Sequence, residues 1–123
     1  MIRTTKRVRA SLSAHLNSWR QNKLGPEHPG TIVTLNSLAW ILANAQDEKL
    51  RDAARAVELA QAAVAAAPKA PQFRLTLGIA RYRTGAWPEA IADLEGAIQL
   101  RKPDDNDNAT EAFFLAMARW QLG

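Results

Sequence analysis

Apolar residues recur along this chain at three- and four-residue intervals, the spacing that lines one side of a helix, so the pattern predicts a succession of about six helices. Val8, Leu12, His15, Leu16 and Trp19 form the first stripe, on a helix expected from about residue 4 to 23. Leu24-Gly25-Pro26-Glu27-His28-Pro29-Gly30 then packs two prolines and two glycines together, which no helix interior tolerates, and reads as a linker. A second helix is expected from Thr31, as N-cap, to about Ala45, with Leu35, Leu38, Ala39 and Leu42 on one side. Asp52 is placed to cap a third, whose narrow stripe is Ala56, Leu59, Ala60, Ala63 and Val64, before Pro68 and Pro71 end it. The fourth carries Phe73, Leu77, Ala80 and Arg81 and stops at Gly85, a natural left-handed residue. Pro88 falls in the first turn of the fifth, which buries Ala90, Ile91, Leu94, Ala97 and Ile98 and closes at Pro103. The sixth opens at Asn108, with Glu111 at capping-box spacing, and runs to Gly123.

The helices repeat one another. Leu77-Gly78-Ile79-Ala80-Arg81-Tyr82-Arg83-Thr84-Gly85 returns 38 residues later as Leu115-Ala116-Met117-Ala118-Arg119-Trp120-Gln121-Leu122-Gly123. Ala56, Val57, Ala63 and Val64 likewise map onto Ala90, Ile91, Ala97 and Ile98 at an offset of 34. A helical hairpin cannot bury such a stripe alone, whereas stacked hairpins can, and periods of this length point to an α-solenoid.

The spacing Leu77-Gly78, Tyr82, Gly85, Trp87, Ala90, Leu94, Ala97 and Pro103 resembles that of tetratricopeptide repeat proteins, with Phe73 beside the position, here Arg74, where that family often has an aromatic. The hairpin from Ile32 to Pro68 is similar, with Leu38-Ala39 for Leu-Gly, Ala56, Ala60 and Ala63 in step, and a longer inter-helix loop. Asn36-Ser37-Leu38-Ala39-Trp40-Ile41-Leu42-Ala43 resembles a run found in bacterial tetratricopeptide proteins, including regions attached to planctomycete serine/threonine kinases. Leu24-Gly25-Pro26-Glu27-His28-Pro29 resembles a repeat junction of the kinesin-light-chain type. The resemblance implies an all-α, right-handed solenoid forming a single domain. Residues 1–10 would be a candidate disordered basic arm, 11–30 a half repeat and linker, 31–70 and 71–106 repeats, and 107–123 a half repeat.

The same resemblance implies that the leading helix of each hairpin lines a concave groove. Its walls would be Val33, Asn36, Trp40 and Asn44 from one repeat, Leu75, Ile79, Tyr82 and Arg83 from the next, and Phe113, Met117, Trp120 and Gln121 from the last. Such a groove suits a peptide or a partner helix, with aromatic walls for apolar contact and Asn and Arg side chains for polar groups. No lysine stands at these positions, which disfavours a clamp for a C-terminal carboxylate. The same aromatics are spaced as core stripes are, so packing competes with ligand contact for each of them.

Composition and charge change this picture little. The chain has 123 residues, enough for one core without staples, and it contains no cysteine, which removes disulfides, thiolate metal sites and cysteine nucleophiles. Of its 16 Lys and Arg, six (Arg3, Lys6, Arg7, Arg9, Arg20, Lys23) fall in residues 1–26, which hold no acid; the other ten against 12 acids leave the rest at −2. A basic arm can touch nucleic acid or an anionic surface, but no aromatic platform or recognition motif accompanies it, and this is the third-ranked reading. No apolar run has the length of a membrane span, and the start lacks a secretory core, so a cytoplasmic location is expected.

Candidate chemistry is sparse. The two histidines read as a turn residue, His28, and a core residue, His15, so neither catalysis, nor a cofactor, nor a small-molecule substrate is expected. Asp104-Asp105-Asn106-Asp107-Asn108 lacks the glycine and the closing glutamate of a calcium loop and reads as a solvated loop with a cap; no metal is expected. Phe113, Phe114, Leu115 and Trp120 crowd the last helix with more apolar surface than one neighbour covers. Self-association through that helix, as a homodimer or by docking within a larger polypeptide, is therefore the alternative to peptide binding.

Overall fold

The computed structural model describes residues 29–48, 51–102 and 108–123. Among them are five helices and no strand: α1 (Pro29–Asn44), α2 (Ala53–Ala66), α3 (Pro71–Thr84), α4 (Trp87–Leu100) and α5 (Ala109–Leu122). The helix expected over residues 4–23, the basic arm, both histidines, Pro103 and the Asp104–Asp107 run lie outside the described residues.

Local chemistry sets most helix ends. The Asp52 side chain accepts a hydrogen bond from the Arg55 amide at 3.1 Å and so caps α2. Pro71 stands in the first turn of α3, where a missing N–H costs nothing, and Gly85 ends that helix at φ 84°. The Gly85 amide donates to Tyr82 O at 3.1 Å and the Ala86 amide to Arg81 O at 3.0 Å, which satisfies carbonyls the helix would leave open.

Two expected starts are different. α1 begins at Pro29, not after Thr31, because proline and glycine are excluded from a helix interior but fit its first turn; Thr31 lies within the helix. Asn108 precedes α5 but makes no side-chain cap, and Glu111 does not close a capping box. Instead Glu111 is fully buried and receives the Arg101 guanidinium from the end of α4, with Arg101 Nε 2.8 Å from Glu111 Oε1. A buried carboxylate prefers a full counter-charge to an amide, and Arg101 supplies one.

The stripes meet in one core of Leu35, Leu38, Ala39, Leu42, Ala56, Leu59, Ala60, Ala63, Phe73, Leu77, Ala80 and Leu94, continued by Phe114 and Leu115. Val64, Ile91 and Ile98 border it, partly buried. Each helix packs on the next, and in addition α1 packs on α3 and α3 on α5. Close approach of α3 and α4 depends on Gly78, where an added Cβ would lie 2.8 Å from Leu94 Cγ, inside any real carbon contact. The order of contacts brings α1, α3 and α5 side by side, and these carry the residues of interest.

Candidate functional site

Asn36, Trp40 and Asn44 are four apart on α1 and so project from neighbouring positions of one side. Trp40 keeps 42% of its surface exposed, and Val33, about two turns earlier, keeps 59%. Asn44 Nδ2 donates back to Trp40 O at 3.1 Å, which turns its Oδ1 outward to accept from Arg83 Nη2 of α3 at 3.3 Å. The Arg83 guanidinium carbon in turn stands 5.7 Å from the centre of the Phe114 ring of α5, a cation–π distance. A polar–aromatic line thus runs from Asn44 through Arg83 to Phe114 across three helices.

Beneath that line α3 and α5 are joined by Tyr82. Its ring meets Phe114 edge to face at 5.6 Å, and its hydroxyl donates to the Met117 sulfur at 3.8 Å. Phe113 packs edge to face on Phe114 at 5.5 Å. Asn36 is half-buried, with an Oδ1 that is enclosed and accepts no hydrogen bond among the described residues. Such an acceptor costs stability unless something donates to it.

The structure sorts the sequence-derived groove residues into three groups. Trp40 and Arg83 are exposed and are linked through the half-buried Asn44, while Asn36 and Met117 are half-buried. Ile79 is a correction: it is fully buried in the core and offers nothing to a ligand, and Leu75 and Tyr82 are packed against that core. The reason is that the sides of α3 bearing these residues are covered by neighbouring helices, which periodicity alone does not reveal. Phe113 and Trp120, exposed by 60% and 78%, stand on the side of α5 opposite its buried residues Glu111, Phe114, Leu115 and Ala118.

Sequence reasoning misjudged one feature and passed over another. Phe114 was expected, with Leu115, to leave apolar surface uncovered on the last helix, but both are buried in the core, and the Phe114 ring lies under Arg83. Asp93 of α4 is only 4% exposed and holds two arginines of α3, Arg81 Nη1 at 2.6 Å and Arg74 Nη1 at 3.7 Å. An arginine on a buried stripe calls for an acid, and Arg81 was the available signal. Burial, helped by nearby Glu89, holds the Asp93 carboxyl above its ordinary 3.8, outweighing both guanidiniums.

No cluster of three or more His, Cys, Asp and Glu side chains that could hold a metal occurs among the described residues, nor any helix long and apolar enough to cross a membrane. No protein-family model, no curated protein and no solved structure matches the chain.

Proposed function

We propose that this chain is a protein-recognition module of tetratricopeptide-like architecture. In this reading its hairpins stack as a right-handed solenoid, and α1, α3 and α5 present a groove to a peptide or a partner helix, without chemistry of their own. The order of helix contacts, each with the next and leading helices with one another, supports it. The observation that carries it is the line from Asn44 through Arg83 to Phe114, with Trp40 exposed beside it. Trp40 and Val33 supply apolar contact, and the exposed Arg83 guanidinium donates to a carboxylate or a backbone carbonyl. The ligand expected from this set is a short segment with an apolar residue beside an acid.

Selection of random displayed peptides on the intact chain tests it. Enriched peptides should bind in fluorescence polarisation and lose at least about tenfold in affinity to Arg83→Ala and to Trp40→Ala. No enrichment, or equal binding to both folded variants, would move the function elsewhere.

A further inference from the structure

Helix α5 is apolar on two sides, and only one of them is covered. At about 100° per residue, Ala109, Phe113, Ala116 and Trp120 fall on a single stripe facing away from Glu111, Phe114, Leu115 and Ala118. All four are exposed. The residues 38 positions earlier on α3 fare differently: Gly78 abuts Leu94, Tyr82 bonds with Met117, and Leu75 packs on the core. A helix that is apolar all round belongs in an interior.

We infer that the free side of α5 is a dimer interface, occupied by α5 of a second copy lying antiparallel across a two-fold axis near Ala116. The order of side chains supports this occupant. About Ala116, residue 112 opposes 120 and residue 113 opposes 119, so each Trp120 lands on the small Ala112 of the other copy. Each Phe113 lands beside the other copy's Arg119, whose guanidinium pairs with Glu95 of its own chain at 2.7 Å yet leaves the side chain 61% exposed, open to an aromatic face. Alanine at the centre lets the two backbones approach closely. An isologous pair requires such self-complementarity, large against small about a centre.

The area available sets the strength. A Phe or Trp buries roughly 150–250 Å² when fully covered, so Phe113 and Trp120 at their exposures offer roughly 300 Å² per copy. The alanines and the Arg119 stem bring a pair to the order of 1,000 Å², the lower edge of specific interfaces. The dimer is therefore weak, with a dissociation constant on the order of tens of micromolar.

Sedimentation velocity of the full chain from low micromolar to near-millimolar concentration tests the state. The mass should rise to that of a dimer and stop there, and Trp120→Ala and Ala116→Glu should each weaken the association at least about tenfold, while Arg83→Ala leaves it unchanged. Both α5 positions face away from the core, and circular dichroism checks that the variants stay helical. Because the chain has no cysteine, geometry can be read by oxidation: Ala116→Cys, next to the axis, should cross-link, and Ala109→Cys, which opposes residue 123, should not. A monomer at all concentrations, growth beyond two copies, or cross-linking of both cysteine variants would overturn the assignment.

Discussion

α3 and α5 carry the same nine-residue pattern and live in different surroundings. In α3 the aromatic of that pattern, Tyr82, is clamped between Phe114 and Met117; in α5 its counterpart Trp120 is 78% exposed. The arginines diverge in the same way. Arg81 reaches the buried Asp93, whereas the exposed Arg119 pairs at 2.7 Å with Glu95, whose side chain is about half open to water. Both acids belong to α4, two residues apart, so one helix offers a dry partner to the helix before it and a wet one to the helix after it. What a repeat motif contributes is thus decided by its neighbours, not by its residues.

Aromatic truncation should break the symmetry of the motif most visibly. Tyr82→Ala is expected to cost about 2–3 kcal/mol, below a fully buried aromatic because Tyr82 is half-buried, and Trp120→Ala about 0.5 kcal/mol or less at concentrations that keep the chain monomeric. Urea unfolding measures both, and equal losses would erase the contrast. Next in size is the arginine pair. Arg81→Ala leaves Asp93 buried with only the longer contact to Arg74 at 3.7 Å and should cost about 1–3 kcal/mol, against about 0–0.5 kcal/mol for Arg119→Ala.

A smaller effect separates the two small residues. Gly78→Ala gains helix propensity but drives a methyl into Leu94, for a net loss of about 1 kcal/mol; Ala116→Glu, with an uncovered side chain, should change stability by no more than about 0.5 kcal/mol. A stabilised Gly78→Ala would mean that α3 and α4 are not held so close.

The smallest effect is one of pH. The folded chain holds the Asp93 proton more tightly than the unfolded chain does, so the contribution of this group is full below the ordinary carboxylate value of 3.8 and is lost as pH rises through the raised folded value. The melting temperature of the intact chain relative to Asp93→Asn should therefore fall as pH is increased across that window. A difference that instead grew with pH would show that the two guanidiniums, not burial, dominate at Asp93.

Much of this fold was legible because its causes are local or periodic. The stripe of Leu35, Leu38, Ala39 and Leu42, the Asp52 cap and the Gly85 stop each need only a few consecutive residues, and all stand in the structure. The Asn108–Glu111 box failed because Glu111 is claimed by Arg101 across a chain turn, a competition that spacing cannot express. Trp40 and Arg83, set on an outward side by the tetratricopeptide resemblance and not by periodicity alone, are exposed. Ile79 is not, since its burial depends on how α3 sits against its neighbours.

The Arg101–Glu111 pair has a kinetic corollary. Stripping a guanidinium from a carboxylate that is still enclosed costs several kcal/mol, whereas releasing both ions to water together avoids that penalty. Fraying of α5 from its leading turn is thus suppressed, and the last helix should let go of the body as a unit. In amide hydrogen exchange its first turns would then be shielded as long as those of α4, although the helix has an exposed flank at Phe113 and Trp120.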